Sequence, residues 1–292
     1  MNAPATHAAA TRGHIEIRDV RVRFGRGGES TEAVSGVSLD VRPGSFVSII
    51  GPSGCGKSTL LNIVAGFLKA SEGTVRLDGA AIDGPGADRG VVFQQYSLFP
   101  WMTVRKNVEF GLKMQGHPPG ARQTAARTLL GLAGLLQFEN HYPDQLSGGM
   151  KQRVGIVRAL APSPQVLLMD EPFGALDSQT RTVMQEILTN MWQQLKLSVL
   201  FITHDIEEAI FLSEKVYVMT ARPGRIKAEI DIPLPRPRTP DMTSSPTFLA
   251  LVRQLKSLIR EESLAAMGGE LDASGLAGIA PQFAVDGMKA LT

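Results

Sequence analysis

Apolar and polar residues alternate near the amino terminus of this chain. Residues 14–24 show a period of two, which predicts a half-exposed β-strand. Residues 33–41 predict a second strand that ends at a turn at 42–44, and the glycine-rich, charged residues 24–30 predict a loop between the two strands. We therefore expect an antiparallel β-subdomain in this part of the chain.

Short apolar runs of a second kind follow, and they alternate with helical patterns. Uninterrupted apolar and β-branched runs predict buried strands at 45–50, 90–95, 166–169, 198–202 and 216–219, with a shorter strand at 73–79. Apolar residues at helical spacing predict helices at 60–68, 178–195 and 205–213. Because strands that alternate with helices are typical of a parallel sheet, we predict an α/β fold with a mixed sheet.

The longest helical pattern interrupts this alternation. Residues 103–160 are mostly helical in pattern, with breaks at 116–120 and at 142–143. They lie between two predicted sheet strands, so we expect a separate helical lobe at about 101–160. Large apolar side chains at 98–102 precede it in a predicted loop. They either pack inside this lobe or form a surface for a partner.

The carboxyl-terminal part of the chain differs in composition. Prolines crowd residues 233–246, which predicts an extended connection. Phe248, Val252, Leu255 and Leu258 then fall on one helical face. We assign 233–292 to a carboxyl-terminal extension with this linker, an amphipathic helix and a tail. The sequence leaves open whether the helix folds back onto the core or reaches a second copy of the chain.

Composition limits the possible functions. The 292 residues carry a formal net charge of +2, so a strongly basic face for nucleic acid is not expected. The single cysteine, Cys55, has no partner for a disulfide, which favours the cytosol. No apolar run approaches the length of about 20 residues that a helix needs to span a bilayer. Residues 1–13 lack a signal-peptide pattern and predict a disordered tail.

One motif points directly to a ligand. The segment Gly51-Pro52-Ser53-Gly54-Cys55-Gly56-Lys57-Ser58 matches the phosphate-binding P-loop and lies between a predicted strand and a predicted helix. Its glycines allow backbone N–H groups to surround an anion at the helix N-terminus. Lys57 can reach the β- and γ-phosphates of a nucleotide, and Ser58 can ligate Mg²⁺.

Two further stretches extend this chemistry. The strand at 166–169 ends in Asp170 and Glu171, where a P-loop protein holds Mg²⁺ through the first acid and orients the attacking water with the second. Ser147, Gly148 and Gly149 precede a helical pattern and predict a second anion-binding helix N-terminus. A second copy of the chain can bring this site to the P-loop more easily than the same chain can.

In this order, the motifs over about 14–232 resemble the ATP-binding subunits of ABC transporters, and the resemblance implies the ABC ATPase fold. Leu146-Ser147-Gly148-Gly149 is similar to the family's signature. Gln94 resembles the Q-loop glutamine that senses Mg²⁺ and the attacking water. Residues 174–177 resemble the D-loop at the dimer interface, and His204 the switch histidine that contacts the γ-phosphate. Phe24 stands where an aromatic residue stacks on adenine, although tyrosine is commoner there.

The resemblance implies a set of site residues with distinct roles. Glu171, His204 and Gln94 are the expected catalytic residues, and Ser58, Gln94 and Asp170 the expected Mg²⁺ ligands. The expected ATP-binding residues of one chain are Phe24, Gly51, Pro52, Ser53, Gly54, Cys55, Gly56, Lys57, Ser58, Thr59, Gln94 and Asp170. A second chain would add Ser147, Gly148, Gly149 and Asp177.

The resemblance also implies partners and a location. We expect a homodimer of ATPase subunits, bound to two transmembrane permease subunits at the cytoplasmic face of the inner membrane, with a periplasmic solute-binding protein acting indirectly. Residues 84–94 and 98–108 resemble the nitrate, sulfonate and taurine group of importers, and residues 84–94 most resemble the taurine-import subunits. Import of another small nutrient, such as a pyrimidine precursor, and a non-transport ABC ATPase are the alternatives. A P-loop kinase would lack the signature.

Overall fold

The computed structural model describes residues 12–25, 30–95 and 97–266. The predictions for most of the amino-terminal tail, for part of the loop at 24–30 and for the tail after the last helix lie outside the described residues. Of the residues predicted as disordered, Gly13 is described, and its N–H donates to Asp78 at 2.9 Å.

Ten strands form two sheets in the described residues. They are β1 Ile15–Phe24, β2 Thr31–Val41, β3 Phe46–Ile50, β4 Glu72–Leu77, β5 Ala80–Ala81, β6 Arg89–Val92, β7 Val166–Asp170, β8 Ser198–Ile202, β9 Lys215–Met219 and β10 Ile226–Asp231. The antiparallel sheet has the order β2-β1-β4-β5, and the larger sheet has the order β10-β9-β3-β8-β7-β6. Within the larger sheet, only β10 is antiparallel to its neighbour. The predicted α/β fold with a mixed sheet is confirmed.

Seven α-helices surround these sheets in the described residues. They are α1 Lys57–Val64, α2 Val104–Met114, α3 Pro119–Leu132, α4 Gly148–Leu160, α5 Ser178–Leu195, α6 Ile206–Leu212 and α7 Pro246–Ala266. None of them is both long and apolar enough to cross a membrane. The predicted break at 116–120 covers the connection after α2 and the first two residues of α3, and the break at 142–143 falls at the start of a 3₁₀ turn before α4.

The larger sheet separates two hydrophobic cores. Residues on alternate sides of its strands take part in different cores, since successive side chains of a strand point to opposite faces. In β3, Ile49 packs with α1 and the antiparallel sheet, whereas Ile50 packs with the helices of the other face. The strands β3 and β8 are buried throughout. They are therefore continuously apolar or small rather than alternating, as expected for a covered parallel sheet.

The helices between β6 and β7 are joined to the sheet through α4. Gly90 of β6 lies against this helix, because a Cβ atom there would be only 2.6 Å from the carbonyl oxygen of Ala159. The strand β6 ends at Val92, so residues 93–95 do not continue it as the apolar run predicts. Phe93 and Gln94 are exposed instead.

The edge strand β10 has no counterpart among the predicted elements. Its residues Ile226–Asp231 alternate apolar and polar, and most are partly exposed. The strand forms because the chain turns back after β9 and pairs with its outer edge, Ile230 opposite Val216. Such a short, weakly apolar alternation is a poor signal until the pairing partner is known.

The carboxyl-terminal helix α7 folds back onto the core, which settles the question that the sequence leaves open. Its residues Phe248, Leu251, Val252 and Leu255 are buried in the same core as α6. The connection before it is anchored by Arg238, whose guanidinium donates to the carbonyls of Ile210, Phe211 and Ser213 at the end of α6. Burial lowers the pKa of Arg238 to about 10.

Candidate nucleotide site

The P-loop lies at the carboxyl end of β3, where it leads into α1. Gly54 and Gly56 have φ angles of 75° and 99°, in the left-handed region that glycine adopts without strain. A Cβ atom on Gly56 would also lie only 2.7 Å from a methyl group of Val34 on β2. No side chain caps the N-terminus of α1 at Gly56. Its first N–H groups therefore remain suited to an anion.

Lys57 is the cation of this loop. Its Nζ donates to the carbonyl oxygens of Gly51 at 2.8 Å and Pro52 at 2.9 Å, and the residue is 6% exposed. The thiol of Cys55 lies 3.7 Å from the same nitrogen, and burial raises its pKa. Cys55 is thus a neutral packing residue of the loop. The ammonium of Lys57 has only neutral partners here, so an anion would be a stronger one.

Ser58 and Asp170 form a pair of oxygen ligands beside the P-loop. The hydroxyl of Ser58 donates to Oδ1 of Asp170 at 3.0 Å. The carboxylate belongs to the last residue of β7, so the two residues come from separate elements at one edge of the sheet. Burial raises the pKa of Asp170, which means that its charge lacks full compensation.

Glu171 and His204 meet because they follow neighbouring parallel strands. Oε2 of Glu171 lies 3.0 Å from Nδ1 of His204, and the N–H of Glu171 donates to Ile202 at the end of β8. The backbone of Glu171 has a φ of 43°, an unusual value for a residue other than glycine. This strained position aims the carboxylate away from the strand and toward the P-loop cavity.

A cavity of about 230 Å³ lies beside these groups, although neither Asp170 nor His204 is among its lining residues. Phe24, which is half-exposed, and Glu171 line it together with the P-loop residues Ser53, Gly54, Gly56, Lys57, Ser58 and Thr59. Ala33 and Arg222 also line the cavity and are absent from the sequence-based list. Nothing in the local sequence singles out Arg222, which reaches the loop from the turn between β9 and β10. Gln94 is exposed and does not line the cavity.

The second set of predicted site residues lies elsewhere. Neither Ser147, Gly148 and Gly149 nor Asp177 lines the P-loop cavity. Ser147, Gly148 and Asp177 are exposed. Gly149 packs so tightly that a Cβ atom on it would lie 2.5 Å from a methyl group of Thr180. The signature and the start of α5 are therefore neighbours. Both helices are capped, by Ser147 and by Asp177, and the N–H of Thr180 holds the pKa of Asp177 below its usual range.

Arg181 connects the signature and D-loop residues to the residues beside the P-loop. One of its guanidinium nitrogens donates to the carbonyl of Leu176 at 3.2 Å, within the predicted D-loop. The other donates to Asp205 at 3.1 Å, directly after His204. The sequence analysis does not identify Arg181, because its two partners are 5 and 24 residues away along the chain.

Comparison with known proteins identifies the class to which this chain belongs. The family described as ABC transporter matches residues 34–174. The chain is a member of the ABC transporter ATP-binding proteins, which are ATPases coupled to transmembrane transport and bind ATP. A similar protein is the nitrate import ATP-binding protein NrtD of Synechocystis sp., 50% identical over 85% of this chain and 95% of that protein. The taurine import ATP-binding protein TauB of Rhizobium johnstonii is 51% identical over 80% and 91%.

Solved structures agree with this assignment. The dimeric structure of MJ0796, described as a bacterial ABC transporter cassette, has a TM-score of 0.68 and 36% identity, covering 75% of this chain and 98% of that chain. A post-hydrolysis dimer of the same cassette bound to ADP and Pi has a TM-score of 0.67 and 35% identity, with the same coverage. The ABC ATPase fold predicted from the motifs is confirmed.

Proposed function

We propose that this protein is the ATP-hydrolysing subunit of an importer for nitrate, taurine or a related small anion, and that it acts as a homodimer at the cytoplasmic face of the membrane. Two relatives that cover most of the chain are named for nitrate import and taurine import. Their names support this group of solutes without choosing among its members.

The proposal of a homodimer rests on the separation between two predicted anion-binding sites, the P-loop and the signature residues at the start of α4. The P-loop cavity has no lining residue from 147–149 or from the D-loop. Its volume of about 230 Å³ is also below the roughly 300–1,000 Å³ that is usual for a small-molecule site. A second copy can complete the site with its own signature residues Ser147, Gly148 and Gly149 and its Asp177. The dimeric cassette bound to ADP and Pi supports this arrangement.

The residues of one chain suit the polar and aromatic parts of ATP. Phe24 offers an exposed ring face for adenine at the mouth of the cavity. The uncapped N-terminus of α1 offers N–H groups to the phosphates. Lys57 exchanges two neutral carbonyl partners for phosphate oxygens when ATP binds.

The site also suits Mg²⁺, a cation that prefers oxygen ligands. Ser58 and Asp170 present a hydroxyl and a carboxylate 3.0 Å apart. The raised pKa of Asp170 indicates a buried charge that a cation would stabilise. Gln94 is the third proposed ligand; it lies in the exposed segment after β6 and outside the lining of the cavity. Bound Mg²⁺ neutralises charge on the phosphate oxygens during transfer.

Glu171 and His204 are the proposed catalytic pair. Glu171 accepts a proton from the attacking water, or orients that water, because its carboxylate lines the cavity. His204 holds this carboxylate through Nδ1 and contacts the γ-phosphate. Since phosphoryl transfer depends mainly on positioning and charge stabilisation, closure of the dimer completes the catalytic arrangement.

An exposed aromatic loop before α2 is the proposed contact for the permease subunits. Trp101 is 70% exposed, and its ring lies 5.6 Å from that of Phe99. The buried side chain of Asn107 holds this loop by accepting from the N–H of Phe99 and donating to its carbonyl. Leu98 packs against the core, so the exposed ring of Trp101 is the part of this loop that we propose for the protein contact.

Solute uptake in cells tests this function. Cells whose only copy carries Glu171→Gln receive labelled taurine, an alkanesulfonate or nitrate, each in a separate assay. We expect selective loss of uptake of one solute, because the glutamine cannot act as a base. Trp101→Ala should lose the same uptake while the purified protein still hydrolyses ATP.

The controls separate the parts of the proposal. Met114→Ala, which removes another exposed apolar side chain, should leave uptake unchanged. Normal uptake of all three solutes in the Glu171→Gln strain would overturn the assignment to this importer group. Another small nutrient, or a role outside transport, would then be the function to examine.

A further inference from the structure

The turn between β9 and β10 packs directly on the P-loop. Gly224 lies so close to it that a Cβ atom would be 2.0 Å from the carbonyl oxygen of Cys55. The N–H of Gly224 donates to Ala33 at 3.0 Å, and its carbonyl accepts from Ser35 at 2.9 Å. The residues at 220–225 are therefore fixed between the P-loop and β2.

This turn places a second cation beside Lys57. Nε of Arg222 donates to the carbonyl oxygen of Gly54 at 3.3 Å, and the residue lines the P-loop cavity. No carboxylate of the described residues lies within ion-pair distance of its guanidinium. A guanidinium presents a planar fork of N–H groups that matches phosphate oxygens.

The last turns of α7 hold the turn at 220–225 in place. A carboxylate oxygen of Glu262 accepts from the N–H of Ala221, the neighbour of Arg222, at 2.9 Å. The same side chain is 13% exposed and pairs with Lys227 of β10 at 2.8 Å. Glu261 pairs with Lys227 as well, but it is 60% exposed and makes no contact with the turn among the described residues.

We propose that Arg222 is a further nucleotide-binding residue, which contacts the phosphates of ATP, and that Glu262 of α7 is its positioning residue. Glu262 fixes the backbone at Ala221, so the guanidinium of Arg222 points into the cavity before ATP arrives. The carboxyl-terminal helix thereby raises the affinity of the P-loop for ATP. This inference rests on ATP binding by the P-loop and is independent of the imported solute.

Calorimetric titration of the full-length protein with MgATP tests the proposal. We expect Arg222→Ala to weaken binding by about tenfold, the effect of losing one hydrogen bond between charged groups. Arg222→Lys should recover part of the loss, because it keeps the charge without the fork. Glu262→Ala, which removes the acceptor for the N–H of Ala221, should weaken binding by about fivefold. Glu261→Ala, the matched control, should bind as the unaltered protein does.

The double variant Arg222→Ala with Glu262→Ala separates positioning from a general structural role. Its affinity should equal that of Arg222→Ala alone, since Glu262 acts only through Arg222. Unchanged affinity in Arg222→Ala would overturn the nucleotide contact. Additive losses, or a lower melting temperature of Glu262→Ala with unchanged affinity, would overturn the positioning role.

Lys57→Ala distinguishes a failure of this inference from a failure of the P-loop assignment. If Lys57→Ala also binds ATP normally, the nucleotide lies elsewhere and the whole assignment is wrong. If Lys57→Ala abolishes binding while Arg222→Ala does not change it, only the role of Arg222 is wrong.

Discussion

Glycines lie at two helix N-termini in this chain, just before α1 and in the first turn of α4, but the two ends differ in their side chains. The N-terminus of α1 has no side-chain cap, and the buried ammonium of Lys57 lies beside it. The N-terminus of α4 is capped by Ser147, whose hydroxyl accepts from the N–H of Met150 at 3.3 Å. The first is therefore ready to receive an anion, while the second already satisfies one of its N–H groups.

The residues around the two helix N-termini also differ. Asp170, Glu171 and His204 gather next to α1, where they offer ligands for a cation and a base for water. Gly149 at the start of α4 lies against Thr180 at the start of α5. The comparison teaches that the chain carries one nearly complete site and one supplementary surface. Under the proposed homodimer, we expect hydrolysis to need both surfaces and binding to need mainly the first.

The largest expected effect is that of Lys57→Ala, which damages the nearly complete site. We expect the affinity for MgATP to fall by about 100-fold or more, since two charge-assisted hydrogen bonds to phosphate are lost. Calorimetric titration measures this change. The exposed Lys69 just after α1 provides the control Lys69→Ala, which should bind normally. An unchanged affinity in Lys57→Ala would refute the P-loop assignment.

Ser147→Ala damages the supplementary surface and should separate binding from hydrolysis. We expect the steady-state ATPase rate to fall by about tenfold with little change in the affinity of the isolated chain for ATP. The variant also loses a helix cap, worth about 1 kcal/mol of stability. Thr103→Ala is the matched control, because Thr103 caps α2 by accepting from Lys106 at the same 3.3 Å. Equal ATPase rates in the two variants would contradict a special role for Ser147.

Arg181→Ala should uncouple the two surfaces by a smaller amount. Its guanidinium holds both the D-loop carbonyl of Leu176 and the side chain of Asp205. We expect kcat to fall by about threefold to tenfold while KM for ATP stays the same, and Arg181→Lys to recover part of the rate. Arg127→Ala removes an ion pair with Glu139 away from the site and serves as control. An increase in KM alone would contradict the coupling role.

Glu208→Gln should change stability and leave both surfaces intact. Burial raises the pKa of Glu208 from 4.5 to about 6, so the native protein holds a proton more tightly than the unfolded chain. Stability of the unaltered protein therefore falls as pH rises from about 4.5 to 6. We expect Glu208→Gln to be more stable by about 2 kcal/mol at pH 7.5 and by much less at pH 4.5. Urea unfolding at both pH values checks this, and equal differences would contradict it.

The meeting of the main residues of the candidate nucleotide site could be predicted from sequence, because each group of them follows an apolar strand. The P-loop residues 51–58 and the pair Asp170 and Glu171 each lie at the end of one apolar strand. Parallel pairing of β7 with β8 then brings Glu171 to His204 without further information. Local pattern and sheet topology together were sufficient here.

Other parts depend on contacts that no local pattern records. Arg222 meets Gly54 across 168 residues of sequence, and Glu262 meets Ala221 across 41 residues. The strand β10 likewise forms only through pairing with β9. Such contacts follow from the path of the chain after folding, so they required the structure.

Dimer formation by the Glu171→Gln variant tests the central claim most directly. The variant keeps every proposed ATP contact but lacks the carboxylate that assists hydrolysis, so bound ATP should hold two copies together. We expect size-exclusion chromatography with light scattering to show a monomer without nucleotide and a dimer with MgATP. Ser147→Ala in the same background should weaken that dimer. A monomer at saturating MgATP would contradict a site shared between two copies.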